Sequence, residues 1–406
     1  MIHDMALRRH SAESPLLAEA KRLAPLLSSH GEANEAAGRI SDESIAALHD
    51  AGFFSLMVPA EFGGVDCNPL QVLSVVEELC KADIATGWVV MAANVATASA
   101  AGFLSDAGAQ AVFGDARRPI IAGAGAPTGK AELVEGGYRL TGHWTYGSGC
   151  LHCDYYHAGA IVHENGAPRI LPGTNAPEVR VFLIPSNEVQ AKGNWDVLGL
   201  RATGSIDYTI TDVFVPADMT HSASEVVGKR GGDGYRIGVV GFSCLGHTGV
   251  ALGHGRRVLD ELAALVHAPA GRPTTLSDLG GSDSFKEDFA VAEGKLRAAR
   301  ALVYDVWGDV VETISKGEPV ATRQITWARL ALNHATTAMM ENSLFAHRAS
   351  GGVGLRSGTL QRALRDTLSA TQHLMVSDKA LRECGRDFLG FAEDMKWTPR
   401  GLVPAT

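Results

Sequence analysis

The sequence predicts an α+β protein of three parts: an N-terminal α-helical domain (residues 1–118), a central β-domain (119–229) and a C-terminal helical bundle (230–406). Three observations support this division. The chain of 406 residues exceeds what one hydrophobic core usually holds. Apolar residues repeat at helical spacing near both ends, and the middle consists of short β-rich runs separated by glycine and proline.

The N-terminal part has helical periodicity through residues 15–114. Ile45, Leu48 and His49 follow the i, i+3, i+4 spacing of one helix face. Ser41 precedes two acidic residues and predicts a helix N-cap. Residues 84–104 carry no charge and could cross a bilayer by length, but small and polar residues interrupt them. We therefore expect a buried packing helix there and no membrane span.

The central part predicts strands at residues 138–141, 155–162, 179–184 and 208–215. Helical periodicity returns near residue 235 and continues almost to the C-terminus, with no strand-like interval. It is strongest over residues 285–315, 321–349 and 360–388. The glycine-rich stretch 271–284 is the candidate flexible loop.

The composition is that of a soluble globular protein, with 46% hydrophobic and 20% charged residues. A net charge of −9 argues against nucleic acid as a partner, since phosphate backbones require a concentrated positive surface. Six cysteines are too sparse for a disulfide scaffold, and no secretory signal precedes them. These features predict a cytoplasmic protein.

Four patterns resemble known sites but lack essential parts. Residues 123–130 resemble a phosphate loop, but the leading glycine and the final Ser or Thr are missing. Cys150 and Cys153 have metal-like spacing, yet no second pair completes a zinc site, and we expect no bound metal. Ser148 lacks the outer glycines of a nucleophile elbow. Scattered histidines such as His247 are expected to be packing residues.

A series of short motifs, in order along nearly the whole chain, resembles the acyl-CoA dehydrogenase superfamily. The resemblance implies an α-domain, a β-barrel or sandwich domain, and a four-helix bundle that assembles into a homotetramer. That order agrees with the periodicity described above. The motifs are Ala-Gly-Phe at 51–53, Val-Pro at 58–59, Glu-Phe-Gly-Gly at 61–64, Gly-Gly-Tyr-Arg-Leu-Thr-Gly at 136–142, Ser-Gly at 148–149, Trp195, Gly-Leu-Arg at 199–201 and Thr-Gly-Ser at 203–205.

The resemblance implies a flavin site at the junction of the domains. In the superfamily a serine or threonine before a glycine contacts the flavin ring near N5, and Ser148 and Gly149 match that position. Such polar contacts suit a ring on which negative charge gathers when it is reduced. Trp88 matches an aromatic residue that lines the flavin cavity, with ordinary core packing as the alternative.

A glycine-rich bend matches the place where a neighbouring subunit approaches the distal part of the flavin. Its residues are Ser350, Gly351, Gly352 and Gly354. Glycine there would permit close backbone contact with a phosphate or ribose. A plain helix end is the alternative. The bend favours FAD as cofactor, with FMN possible.

The residues that would serve a dehydrogenase are missing, whereas those of a monooxygenase are present. A dehydrogenase needs a carboxylate base, but residues 236–259 contain no Asp or Glu, and Glu383 lacks the threonine expected after the following glycine. Instead, Arg365 and Asp366 are followed seven residues later by His373, which resembles the flavin-dependent monooxygenase branch. In that branch the corresponding histidine faces the substrate.

The resemblance therefore implies the oxygenase component of a two-component system. A separate reductase would supply reduced flavin, which reacts with O2 to a C4a-hydroperoxide and hydroxylates an aromatic or heteroaromatic ring such as an indole or phenol. A base near neutral pKa, suited to His373, would make that ring more nucleophilic. Ser148 would help to protect the oxygen adduct. The alternatives are an acyl-CoA dehydrogenase and a non-catalytic ligand-binding relative.

Overall fold

The N-terminal part of the computed structural model is helical. The structure describes residues 14–115, 117–173, 175–225, 227–267 and 279–405. Ser14 and Ser41 cap the first two helices through their side chains, the second as expected from the sequence. The helices are α1 (Pro15–Ala37), α2 (Asp42–Asp50), α3 (Pro69–Ala82), α4 (Ile84–Phe103) and α5 (Asp106–Phe113).

The central part is one mixed sheet of eight strands, in the order β6-β7-β2-β1-β3-β5-β8 with β4 on β3. All pairs are antiparallel except β1 with β3. Trp144 stacks on Tyr208 in its core, with ring centroids 5.4 Å apart. The strands are β1 (Ile121–Val134), β2 (Gly137–Gly147), β3 (Tyr155–Glu164), β4 (Ala167–Pro168), β5 (Val179–Pro185), β6 (Gln190–Ala191), β7 (Ile206–Pro216) and β8 (Thr220–Ser222).

The C-terminal part is a helical bundle followed by a β-hairpin. The long helices pack around buried Trp307 and Leu332. Burial of one such large apolar side chain contributes about 1.5–3 kcal/mol to stability. The elements are α6 (Gly238–Val266), α7 (Asp283–Ser315), α8 (Thr322–Ala349), α9 (Gly352–Leu355), α10 (Thr359–Ala370), α11 (Asp378–Phe388), β9 (Met395–Thr398) and β10 (Gly401–Pro404).

Two details of the C-terminal part differ from the sequence prediction. The helix predicted over residues 360–388 is broken between α10 and α11, where Ser377 caps α11 by accepting the Ala380 N–H. The hairpin β9–β10 lies in an interval where the sequence predicts no strand. Strands of four residues are too short to show a period of two, so the sequence pattern does not reveal them. Burial of Trp397 holds the hairpin against α8. Most of the glycine-rich stretch 271–284 lies outside the described residues.

The changes between helix and sheet fall between Phe113 and Ile121 and between Ser222 and α6. The proposed domain limits at 118 and 229 lie in these connections and stay predictions. Two helical segments are long and apolar enough to span a membrane, Ile84–Phe103 and Asp233–Val266. Within the protein, 89% and 83% of their most apolar windows are buried, which is the packing expected of α4.

Glycines bring α6 into close contact with the N-terminal helices. A Cβ at Gly246 would lie 2.3 Å from a side-chain carbon of Met91 on α4, and one at Gly253 would lie 2.0 Å from the Glu77 carbonyl oxygen on α3. Any side chain at these positions would force the helices apart. This close approach places the neighbouring residue, His247, against Trp88 of α4.

Candidate active site

Trp88 and Ser148 meet where α4 packs against the sheet. The indole Nε1–H of Trp88 donates a hydrogen bond to Ser148 Oγ at 3.1 Å. Both residues are buried. The structure therefore brings together two of the residues for which the sequence predicted a flavin contact.

The turn after β2 has a backbone that requires glycine at one position. Gly149 has φ +82°, and a Cβ there would lie 3.3 Å from Val89 on α4. The Ser148 N–H donates to the Tyr146 carbonyl at 2.9 Å, which closes the turn. Gly149 thus lets the serine approach α4.

A chain of hydrogen bonds runs from Trp88 to α10 and determines which way each hydroxyl points. Thr203 Oγ1 donates to the Leu200 carbonyl at 2.7 Å, so the hydroxyl of Ser205, 2.6 Å away, donates to Thr203. Ser148 Oγ lies 2.6 Å from Ser205 Oγ and therefore donates to it. Its proton is thus engaged, and it accepts from Trp88 with one lone pair, so one acceptor position remains.

Leu200 continues the chain through its backbone. Its N–H donates to Asp366 Oδ1 on α10 at 2.6 Å. Burial raises the pKa of Asp366 to about 7, although the Leu200 N–H opposes this shift. The Arg365 side chain also bonds the Leu198 carbonyl, at 2.9 Å. We call the hydrogen-bonded hydroxyls of Ser148, Ser205 and Thr203 the hydroxyl chain. The loop next to it is therefore hydrogen-bonded to α10, the helix that precedes His373.

His373, His247 and Trp88 form a compact group that we call the ring cluster. The two imidazoles stack with centroids 3.9 Å apart and planes 23° apart. Trp88 meets both edge-on, at 5.1 Å from His247 and 5.8 Å from His373. The sequence predicts Trp88 and His373 at this site and His247 as a packing residue. Its position on α6 could have indicated a site residue, because the resemblance locates one of the dehydrogenase bases on the first long helix of the C-terminal part.

The hydrogen-bond partners indicate which nitrogen of each imidazole carries the proton. His247 Nδ1 lies 2.7 Å from the Ser243 carbonyl, which can only accept, so Nδ1 is protonated. Its Nε2 is a buried acceptor with no hydrogen-bond partner among the described residues. His373 Nδ1 accepts the Met375 N–H at 3.3 Å, so its proton is on Nε2. The ring cluster thus offers one acceptor and one donor.

Both histidines are held in the neutral form. Burial lowers the pKa of His247 to about 4. For His373, burial, the neighbouring His247 and the Arg329 charge lower the pKa well below its ordinary value. At neutral pH the ring cluster is therefore uncharged.

The glycine-rich bend lies away from the ring cluster in the same chain. Ser350 follows the last residue of α8 and lies 21 residues beyond Arg329, whose Nη1 contacts Met375, two residues after His373. That separation along a helix is about 30 Å. Ser350 Oγ donates to the His347 carbonyl at 3.0 Å, and Gly351 has φ +53°. The structure does not unite Ser350, Gly351 and Gly352 with the other predicted flavin contacts within one chain.

The discounted patterns have ordinary structural surroundings. Residues 123–130 lie within β1, where both ends of the stretch pair with β3 and the register shifts between Ala124 and Gly129. The Cys153 thiol donates to the Cys150 carbonyl at 3.3 Å. Glu383 lies on α11, 3.7 Å from Arg386 in an ion pair. Among the described residues, no group of three or more His, Cys, Asp or Glu side chains is arranged to hold a metal ion.

Two family models match the helical parts of the chain. The acyl-CoA dehydrogenase N-terminal domain matches residues 20–112, and the acyl-CoA dehydrogenase C-terminal domain matches residues 245–378. These ranges contain Trp88, His247 and His373.

Similar proteins of known activity are monooxygenases and hydroxylases. Indole-3-acetate monooxygenase of Pseudomonas putida is 30% identical over 86% of this chain and 87% of its own length. The oxygenase component of an FADH2-dependent resorcinol hydroxylase from Rhizobium sp. is 27% identical over 91% of this chain and 92% of its own. The crystal structure of 3-HSA hydroxylase from Rhodococcus sp. RHA1 superposes with a TM-score of 0.84, at 26% identity, over 93% of this chain and 98% of that one.

Proposed function

Because this chain belongs to the flavin-dependent monooxygenases of the acyl-CoA dehydrogenase superfamily, we propose that it inserts one oxygen atom into an aromatic or heteroaromatic ring, such as an indole or a phenol. The observation that best supports this function is the ring cluster, in which two stacked neutral imidazoles lie beside Trp88. Among the described residues, no carboxylate forms a hydrogen bond or an ion pair with either imidazole.

The residues around Ser148 suit a reduced flavin. Ser148 Oγ has one acceptor position left, which matches an N–H donor such as N5–H of the reduced ring. Trp88 would provide an aromatic wall, and Gly149 would allow the ring to approach the backbone. When bound, reduced flavin supplies two electrons to O2, so that one oxygen atom enters the substrate and the other leaves as water.

The two histidines would take different parts in positioning the substrate. His247 Nε2 would accept a hydrogen bond from a phenol O–H or an indole N–H and so make the ring more electron-rich. His373 would donate from Nε2 to the substrate or to the oxygen being transferred. The sequence suggested His373 as the base; its hydrogen bonds favour the donor role instead. The buried surroundings would exclude water.

We favour FAD, which the name of the resorcinol hydroxylase relative also includes. Ser350, Gly351 and Gly352 of a neighbouring subunit would contact its distal part in a homotetramer. A separate cytoplasmic flavin reductase would deliver the reduced cofactor, since the chain lacks a nicotinamide-binding fingerprint.

The proposal is tested by following the atoms of O2. Chemically reduced FAD, 18O2 and a candidate indole or phenol are mixed with the enzyme, and the product is examined by mass spectrometry. We expect one 18O atom in the product for each turnover. Unlabelled product, or bleaching of oxidised enzyme-bound flavin by an acyl-CoA without O2, would establish dehydrogenase chemistry instead.

A further inference from the structure

Next to the ring cluster lies a buried arginine that has no anionic partner among the described residues. Arg329 on α8 is 1% exposed. Its Nη1 contacts the Met375 Sδ at 2.7 Å, and its guanidinium lies 5.2 Å from the Trp397 ring centroid. Its Nε has no hydrogen-bond partner in the part of the chain that the structure describes. No carboxylate of the described part of the chain forms an ion pair with it.

Two half-buried arginines of the bundle are paired with carboxylates. Arg300 binds Glu77 at 2.6 Å, and Arg256 binds Glu293 at 2.7 Å. The groups that favour the charged form of Arg329 are the thiols of Cys244 and Cys384. Burial raises their pKa values to about 12 and 11, so both are neutral at neutral pH. A buried charge without a counter-ion is costly, so its presence beside a candidate active site points to a ligand.

The position of Arg329 connects it directly to the ring cluster. Met375, which its guanidinium contacts, donates its backbone N–H to His373 Nδ1. The charge of Arg329 also lowers the pKa of both His373 and His247. A ligand whose aromatic ring lies at the ring cluster would therefore have one end directed toward this guanidinium.

We propose that Arg329 binds the carboxylate of an aromatic acid, and that the enzyme selects arylacetate-type substrates over neutral rings. This proposal rests on the proposed function. A carboxylate accepts two parallel hydrogen bonds from a guanidinium, whereas the Met375 thioether is a weak acceptor on a flexible side chain. The carboxylate would displace the thioether and supply the missing counter-ion.

The test compares two ligands and two variants. Indole-3-acetate and the neutral 3-methylindole are titrated calorimetrically, without O2, into enzyme loaded with reduced FAD. In Arg329→Met we expect the affinity for indole-3-acetate to fall by about tenfold or more, because a charge-assisted bidentate pair is lost. The affinity for 3-methylindole should stay within about threefold. Arg329→Lys should recover part of the loss, because it keeps the charge.

A stability measurement distinguishes this role from a structural one. Replacing an unpaired buried charge by Met should maintain or raise the melting temperature. The matched control is Arg323→Met on the same helix, which breaks the ion pair with Asp387 and should lower the melting temperature without changing the preference for the acid. The proposal would be overturned if Arg329→Met lowered the melting temperature but left the preference for indole-3-acetate over 3-methylindole unchanged.

Equal affinities of the unmodified enzyme for indole-3-acetate and 3-methylindole would also overturn the proposed role of Arg329. The proposed function has a separate readout. If the acid is preferred but neither ligand acquires 18O, the monooxygenase proposal fails while the anion site remains. If both ligands bind with equal affinity and acquire 18O with equal efficiency, the monooxygenase proposal holds and the anion site is refuted.

Discussion

At the scale of single residues, the opposite tautomers of His247 and His373 determine what each can do. His247 uses Nδ1–H for the Ser243 carbonyl, and His373 uses its Nδ1 lone pair for the Met375 N–H. Neither ring can reverse its role without losing a buried hydrogen bond, which costs about 1–3 kcal/mol. A substrate thus meets one acceptor and one donor in fixed places.

Asparagine replacements test these roles, because the Asn amide can replace the Nδ1 contact while Nε2 is lost. For His247→Asn we expect the product yield, measured as product formed for each flavin oxidised, to fall by about 10²-fold. A positioned acid–base group contributes at least about this factor to a reaction rate. Hydrogen peroxide should accumulate instead, while O2 still oxidises the flavin at its normal rate. His373→Asn should also lower the product yield.

The control for both is His334→Asn at an exposed position on α8. Product and hydrogen peroxide are quantified together in single turnovers started with reduced flavin. An unchanged product yield in either variant would remove that histidine from oxygen transfer.

At the scale of elements, α10 is joined to the loop 196–204 of the β-part through Asp366. Its carboxyl is buried and accepts the Leu200 N–H, and that loop carries the hydroxyl chain to Ser148. The folded-state pKa of about 7 lies above the unfolded value near 3.8. The stability that this group contributes is therefore fully present below about pH 4 and is lost as pH rises through 7.

Asp366→Asn and Asp366→Ala separate charge from hydrogen bonding. The Asn variant keeps an acceptor for Leu200 N–H and cannot ionise, so it should be more stable than the unmodified enzyme at pH 8. The Ala variant leaves that N–H unpaired and should lose about 1–3 kcal/mol. Urea unfolding at pH 5 and pH 8 measures both. Equal stability of the Asn variant and the parent at pH 8 would contradict the raised pKa.

At the scale of the whole molecule, buried neutral histidines should make the fold sensitive to acid. Burial lowers the pKa values of His221, His247 and His254 to about 4, compared with an ordinary value near 6.5. Their contribution to stability is present above pH 6.5 and is lost as pH falls through 4. Each contributes at most about 3 kcal/mol over that interval.

We expect the free energy of unfolding to decrease between pH 7 and pH 4.5 and this decrease to be smaller in His254→Gln. His254 lies outside the ring cluster, with Nε2 bonded to the Ala363 carbonyl at 3.0 Å, and Gln can keep that bond. Asp366 acts in the opposite direction over part of this interval, so Asp366→Asn should steepen the decrease. Denaturant titrations across the pH range give the slope. An identical slope in His254→Gln would refute the buried-histidine account.

Features that depend on near neighbours in the chain are predictable from the sequence. Helices α7 and α8 begin and end near the predicted limits, and Ser41 caps α2, because these features depend on neighbours a few residues apart. Trp88, Ser148 and His373 were identified by resemblance to a family, and the structure places them together. Local periodicity alone could not have done so, since residues 88 and 373 are distant in the chain.

The sequence by itself determined the order of helical, β and helical parts and the absence of a carboxylate base from residues 236–259. Only the tertiary structure decided the stacking of His247 on His373, the direction of the hydroxyl chain and the unpaired state of Arg329. The physical reason is that burial and hydrogen-bond partners are supplied by other elements. A helical pattern shows that a residue faces inward, but not which charge, donor or ring it meets there.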